Sequence, residues 1–320
     1  MNTDNPLGCE PWLFELGHGS PSRAWGYLCS SAFIWGYLAF LPASSAAAEI
    51  SLKDDLGRSV ELAGPAQRIV SLAPSLTELV YTAGAGSRLV AASEFSDYPP
   101  QAKELPRVSS AGTVSLESVA ALHPDLVLAW EDGTRREDVD RLASLGIPVY
   151  VAHARTFDDV PRLMTTLGTL VGTDTRGAAR AYTQRLEGLR RQYASRKPVS
   201  VLLEVWHLPL TTIAGRHFMN EALATCGARN VFADLPGVAP VVSWEEVFKR
   251  DPDAIVGIES AQSEARFRAL WQERSALRAV KEGRLVYLGA DRLQRLSART
   301  PEGVAAMCVA IDRVRSGERR

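Results

Sequence analysis

"VSLESVAALHPDLVLAW" occupies residues 114–130, and "VSWEEVFKRDPDAIVGI" occupies residues 242–258. In both, Val-Ser precedes an apolar residue and a glutamate, a valine stands two places further on, and Pro-Asp falls nine residues after the serine. Ser115 and Ser243 suit the N-cap of a helix, with Ser118 and Glu246 at the capping-box position. The aliphatic runs that close the two stretches suit buried strands. A helix that feeds a buried strand is the repeating unit of a parallel α/β sheet. Meeting it twice predicts two such sheets, one in each half of the chain.

Outward from these stretches the alternation continues. "RIVSLA", "RLVAAS", "DLVLAW" and "PVYVA" read as strands, separated by helices at "SLTELVYTAG", "VSLESVAALHP" and "REDVDRLASLG". Ser75 and Glu78 have the spacing of a capping box, with Gly84 as terminator. Ahead of them, "EISLKDDLGRSVEL" reads as a hairpin turning at Asp55–Gly57. From 156 to 197 no strand candidate occurs, and Ala178, Ala181, Tyr182, Leu186 and Leu189 predict a helix of more than about twenty residues. After "VSVLLEVW" the alternation resumes through "DAIVGI" and "RLVYLG" to a last helix near "GVAAMCVAIDRVRS". The expected fold is α/β: two Rossmann-like lobes with parallel sheets, at 49–155 and 198–320, joined by a long rigid helix within 156–197.

The first 48 residues differ in kind. Arg23 precedes an uncharged stretch, residues 24–41, and then "PASSAAAE", with Ala46 and Ala48 at the −3 and −1 positions of a secretory cleavage site. Leu28 before Cys29 does not fit a lipoprotein site. Cleavage near Ala48 predicts a periplasmic protein and removes one base and three acids, leaving 35 bases against 34 acids. A chain so nearly neutral offers no footprint for nucleic acid and no polybasic block for a membrane. The exported part keeps Cys226 and Cys308, an even pair in an oxidising compartment, where a disulfide is the expectation and two buried thiols the alternative.

Signatures of catalysis are missing. There is no Walker lysine loop, GxSxG elbow or HExxH, and "TAGAGS" ends a helix where a dinucleotide loop would open one. No catalytic residue, cofactor or metal ligand is assigned. His153, His207 and His217 each follow a strand and could meet near the lobe interface, which would suit a Zn or Mn receptor. Aromatic side chains at strand ends are more suggestive: Tyr98, Trp130 and Trp206, with the polar loop Asp291, Arg292, Leu293, Gln294 and Arg295 after the last strand. Ligands of parallel sheets bind beyond the carboxyl ends of the strands. Aromatic faces there suit a large, flat, mostly uncharged ligand.

From Arg68 to Val151 the sequence closely resembles the periplasmic vitamin B12-binding proteins of bacterial ABC importers, helical-backbone solute-binding proteins, with "SDYPPQA" as the most specific element. The likeness continues more weakly to about residue 315. It implies two α/β lobes on a rigid helix, a corrinoid as transported ligand, the importer's membrane subunits as partner and a monomer when free. Carried over residue by residue, it implies corrinoid contacts at Tyr98, Trp130 and 291–295. It implies transporter docking through Glu117 and Glu245, and a disulfide between Cys226 and Cys308. Ala111, Thr211 and Ala239 stand where well-known members carry aromatic residues, and Trp206 and His207 are additions. A reshaped pocket of this kind could also take haem or a ferric siderophore.

Overall fold

The computed structural model describes residues 48–110, 112–258, 263–289 and 293–317. The expected signal sequence, Ala111, Asp291 and Arg292 lie outside them. The expected hairpin opens the fold, as β1 (Ile50–Lys53) and β2 (Ser59–Leu62), paired antiparallel from Ile50↔Leu62 to Lys53↔Ser59. Buried Asp54 organises its turn, accepting the backbone N–H groups of Leu56 and Arg58 at 3.0 and 2.9 Å and the Arg58 guanidinium at 2.7 Å.

The first sheet is built from β3 (Ile69–Ser71), α1 (Pro74–Thr82), β4 (Leu89–Ser93), β5 (Arg107–Ser110), β6 (Thr113–Val114), α2 (Leu116–Ala121), β7 (Leu126–Trp130), α3 (Arg136–Ser144) and β8 (Val149–Ala152). Its strand order is β6-β5-β4-β3-β7-β8, parallel except for the β5–β6 pair. The hairpin turn covers the β8 edge: the Asp55 amide donates to the Val151 carbonyl, and its carboxylate accepts the His153 amide at 2.7 Å. That occupies backbone groups that an edge strand would otherwise expose.

Then come α4 (Asp159–Val171) and α5 (Arg176–Tyr193). The expected helix of more than twenty residues is thus 18 residues long. It starts late because the Thr175 hydroxyl is drawn to the Met164 carbonyl of α4 at 2.8 Å. It ends at Tyr193, and Pro198 would bar continuation past Lys197. Its buried positions are Ala179, Tyr182, Leu186 and Tyr193, while Ala181 is exposed.

The second sheet has β9 (Val199–Glu204), α6 (Phe218–Thr225), β10 (Ala228–Asn230), α7 (Trp244–Arg250), β11 (Ala254–Gly257), α8 (Glu264–Gln272), α9 (Arg278–Lys281) and β12 (Leu285–Tyr287), and α10 (Thr300–Ser316) follows. Its order, β10-β9-β11-β12, is parallel throughout and repeats the order β4-β3-β7-β8 of the first sheet. The two echoing stretches therefore occupy the same place in two pseudo-equivalent sheets, as α2–β7 and α7–β11. Shared topology accounts for their shared valines, prolines and aspartates.

Two apolar clusters cover one face of each sheet separately, around Val70, Val127 and Leu142 and around Ile255, Phe267 and Trp271. The other faces share one cluster that runs from Leu76 through Leu163 and Tyr182 to Val201 and Met307. Cys226 and Cys308 are disulfide-bonded within it, tying the end of α6 to α10.

The start of α1 departs from expectation. Its N-cap is Ala73, Pro74 takes the first helical position, and Ser75 lies inside the first turn. Glu78 closes no capping box. It is 2% exposed and accepts the Arg299 guanidinium at 2.9 and 2.6 Å, with Arg295 at 3.5 Å. A helix of the first lobe is thus clamped to the segment leading into α10. Among the described residues no helix is long and apolar enough to cross a membrane.

Candidate functional site

A cleft of about 1330 Å³ lies between the two sheets. The first lobe contributes the segments after β3, β4, β7 and β8, and the second the segment before α6, Gly237, Val238 and 294–296. Such a volume exceeds the roughly 300–1,000 Å³ of ordinary small-molecule pockets, so it suits a large ligand. Three lining arginines, Arg155, Arg216 and Arg295, are balanced by three acids, Glu94, Asp132 and Glu221. Of these acids Glu221 accepts Arg190 at 2.6 Å and the Phe157 amide at 3.1 Å, and Glu94 accepts the Ser110 hydroxyl. The described lining therefore carries no net charge to demand a strongly charged guest.

Apolar faces dominate what remains. Trp130 ends β7 half-buried, where the Thr134 hydroxyl meets its amide at 3.3 Å and the Thr134 amide returns to its carbonyl at 2.9 Å. Phe95, past the end of β4, lines the same cleft, 63% exposed and held at φ 63°. A bulky residue rarely adopts that left-handed backbone, and such geometry concentrates at sites of function. From the second lobe come Phe218 and His217, stacked with ring centroids 4.4 Å apart.

His217 also caps α6, its Nδ1 accepting the Met219 amide at 3.2 Å, so the ring proton sits on Nε2. Burial pushes its pKa below the ordinary histidine value. The folded chain therefore resists a proton that the unfolded chain accepts near pH 6.5. Above that pH the neutral cap is fully stabilising, and below it the stability that His217 contributes declines. In urea unfolding, His217→Asn, which retains a capping oxygen without titrating, is expected to lose less stability than the wild type between pH 7.5 and 5. Equal losses would show that His217 does not set the slope.

Of the residues singled out in the sequence, Trp130, Gln294 and Arg295 line the cleft. Leu293 is buried in the shared core. Tyr98 is 44% exposed and does not line the cleft; the Arg299 guanidinium lies over its ring, 3.8 Å from the centroid. Trp206 also stands outside the lining, with Nε1 donating to the Leu208 carbonyl at 2.9 Å. Thr211 bridges Trp206 and Val241, and Ala239 is exposed.

The three histidines do not converge. His153 contacts Glu131, His217 faces the cleft, and His207 is buried with Nδ1 3.1 Å from Glu204 and its ring against Trp244 and Trp271. Among the described residues no group of three His, Cys, Asp or Glu side chains could hold a metal ion. Phe95 and Phe218 were not singled out in the sequence. Phe95 carries the signal that marks Trp130, an aromatic residue just past a strand end. Phe218 follows no strand directly and carries none.

Glu117 and Glu245 are exposed in the first turns of α2 and α7. Ser243 caps α7 by accepting the Glu246 amide at 3.2 Å, whereas Ser115 hydrogen-bonds Ser118 at 2.7 Å and caps nothing. The Glu245 backbone N–H and the Ser243 hydroxyl hold the Glu245 carboxyl below the usual range. Neighbouring Glu246 is paired with Arg250 at 2.9 Å, but neither Glu117 nor Glu245 takes part in an ion pair among the described residues. Both helices descend from the cleft side of their sheets to begin the next parallel strand. The two carboxylates thus stand at the same end of each lobe as the cleft.

A periplasmic binding protein family model matches residues 69–292. The vitamin B12-binding protein of Vibrio cholerae serotype O1 is 38% identical over 246 residues, 76% of this chain and 88% of that protein. The protein of the same name from Vibrio campbellii is 34% identical over 254 residues, 79% and 92% of the two chains. Among solved structures, the periplasmic vitamin B12-binding protein of Vibrio cholerae superposes with a TM-score of 0.71 at 36% identity, covering 78% of this chain and 98% of that one. A periplasmic haem-binding protein of Pseudomonas aeruginosa gives 0.69 at 27% identity, covering 77% and 92%.

Proposed function

The chain belongs to the periplasmic binding protein family, and on that premise we propose that it captures a corrinoid of the vitamin B12 kind between its lobes and delivers it to an ABC importer. The observation that carries the ligand class is the cleft: about 1330 Å³, balanced in charge among its described residues and faced by Phe95, Trp130 and Phe218. A corrin ring is broad and flat, and aromatic faces give it contact area at small cost in side-chain entropy. The corrinoid is cargo, so the chain needs neither a cofactor nor a catalytic residue. Glu117 and Glu245 are its contacts to the membrane subunits, one from each lobe. It works as a monomer, released to the periplasm by cleavage near Ala48, with lobes at 49–155 and 198–320 and a connecting helical segment at 156–197. Gln294 and Arg295 complete the ligand's surroundings from the second lobe.

Purification of the exported protein from cells supplied with cobalt corrinoids, followed by an absorption spectrum, tests the ligand class in one measurement. The expected result is the corrinoid spectrum. A haem spectrum, or no chromophore after incubation with cobalamin and cobinamide, would refute it. With cobalamin as probe, Trp130→Ala is expected to weaken binding by about 1–3 kcal/mol, as for other well-packed aromatic contacts. An unchanged dissociation constant would put the ring elsewhere.

A further inference from the structure

Beside Glu245 the second lobe carries an apolar surface that the cleft does not use. Trp206, Leu208 and Val241 are 48%, 68% and 62% exposed, and none of them lines the cleft. This is not a loose loop. The Val205 amide donates to Thr211 and the Thr211 amide back to Trp206, at 3.0 and 2.8 Å. The Thr212 amide reaches Pro240 at 3.0 Å and the Val242 amide reaches Leu210 at 2.9 Å. Three passes of backbone are laced into a small irregular ladder, and Trp206 is turned back onto it by its bond to the Leu208 carbonyl. Large apolar side chains are held in water on a braced platform, an arrangement that usually marks a contact surface. The matching connection in the first lobe, between β3 and α1, consists of Leu72 and Ala73, both buried.

We infer that Trp206, Leu208 and Val241 form an apolar docking shelf for the importer's membrane subunits, continuous with Glu245. Continuity identifies the occupant: Val241, Val242, Ser243, Trp244 and Glu245 are consecutive, so the shelf runs directly into the capped turn that presents the unpaired carboxylate. A partner that fits must offer a cation to Glu245 and an apolar surface next to it. An aromatic ring beside a charge pair excludes water from it, which strengthens the pair. Because, among the described residues, only the second lobe has the shelf, its contact with the importer is the larger of the two. The inference rests on the docking role proposed for the two glutamates and extends it to residues that carry no charge.

The test compares four proteins: wild type, Leu208→Ser, the combined Trp206→Ala, Leu208→Ser and Val241→Ser variant, and the Glu117→Ala, Glu245→Ala variant. Docking is measured on liposomes bearing the importer and on liposomes of the same lipid without it, and cobalamin affinity is measured in solution. The shelf variant is expected to dock about tenfold more weakly or worse, with cobalamin affinity unchanged. Leu208→Ser, on the most exposed side chain of the three, should show a smaller loss in the same direction. Wild-type docking by both shelf variants, with weak docking by the glutamate variant, would overturn the shelf alone. Wild-type docking by the glutamate variant would instead overturn the docking role on which it rests. Cobalamin affinity falling with the shelf would make it a ligand surface, and equal wild-type binding to importer-free liposomes would make it a lipid contact. Either result refutes the inference.

Discussion

Alanine at both Glu117 and Glu245 is expected to abolish docking to the reconstituted importer and to leave cobalamin affinity unchanged. Each carboxylate is exposed and without an ion pair among the described residues, so its removal strips the fold of little beyond the helix-dipole contribution, about 0.3–1 kcal/mol. Against a cationic partner the effect is far larger. Truncating one member of a buried, hydrogen-bonded charge pair costs about 2–5 kcal/mol, mostly because the other charge is left desolvated. Two such losses in one interface bring a micromolar complex out of measurable range. The single variants should each retain measurable docking, with Glu245→Ala keeping the help of whatever surrounds it. Surface plasmon resonance on the importer in nanodiscs separates these outcomes. Docking that survives the double substitution, or ligand affinity that falls with it, contradicts the assignment.

Glu78→Ala is expected to cost about 3–5 kcal/mol of stability, the range for breaking a buried ion pair by removing its carboxylate. The carboxylate is almost fully buried and meets the Arg299 guanidinium through both oxygens, so solvent screens it little. Removing it also loosens Arg299 from the Tyr98 ring and Arg295 from the cleft wall. Glu78→Met with Arg299→Met should recover most of the loss, since a well-packed apolar pair of similar volume replaces a buried ion pair at little net cost. Urea unfolding of the two single variants and the double closes the cycle. A loss below about 1 kcal/mol in Glu78→Ala would mean that water reaches the pair, as it does at surface salt bridges.

Glu78 also shows where sequence reading stops. Its spacing from Ser75 has the form of a capping box, a local pattern, whereas its partner lies 221 residues away. Local patterns carry no information about such a partner. The two sheets were legible because strands buried on both faces read as plain apolar runs. The β5–β6 pair was not, because Arg107-Val-Ser-Ser and the two-residue edge strand Thr113–Val114 lack that run. Within the cleft, the strand-end rule located Trp130, but it could not foresee that Trp206 would bond back to Leu208 and stand outside the lining. His207 misled for a related reason. It stands just past a strand, yet Glu204 and two tryptophans draw it into the core.

One apolar cluster serves both lobes, with Tyr182 and Leu186 of α5 packed among side chains from each sheet. The lobes therefore cannot melt one after the other, because unfolding either would bare the face on which the other rests. Heat should unfold the chain in a single transition whose calorimetric and van't Hoff enthalpies agree. Bound cargo then raises the melting midpoint of the whole chain by mass action, so one thermal scan at graded concentrations ranks the corrinoids by affinity.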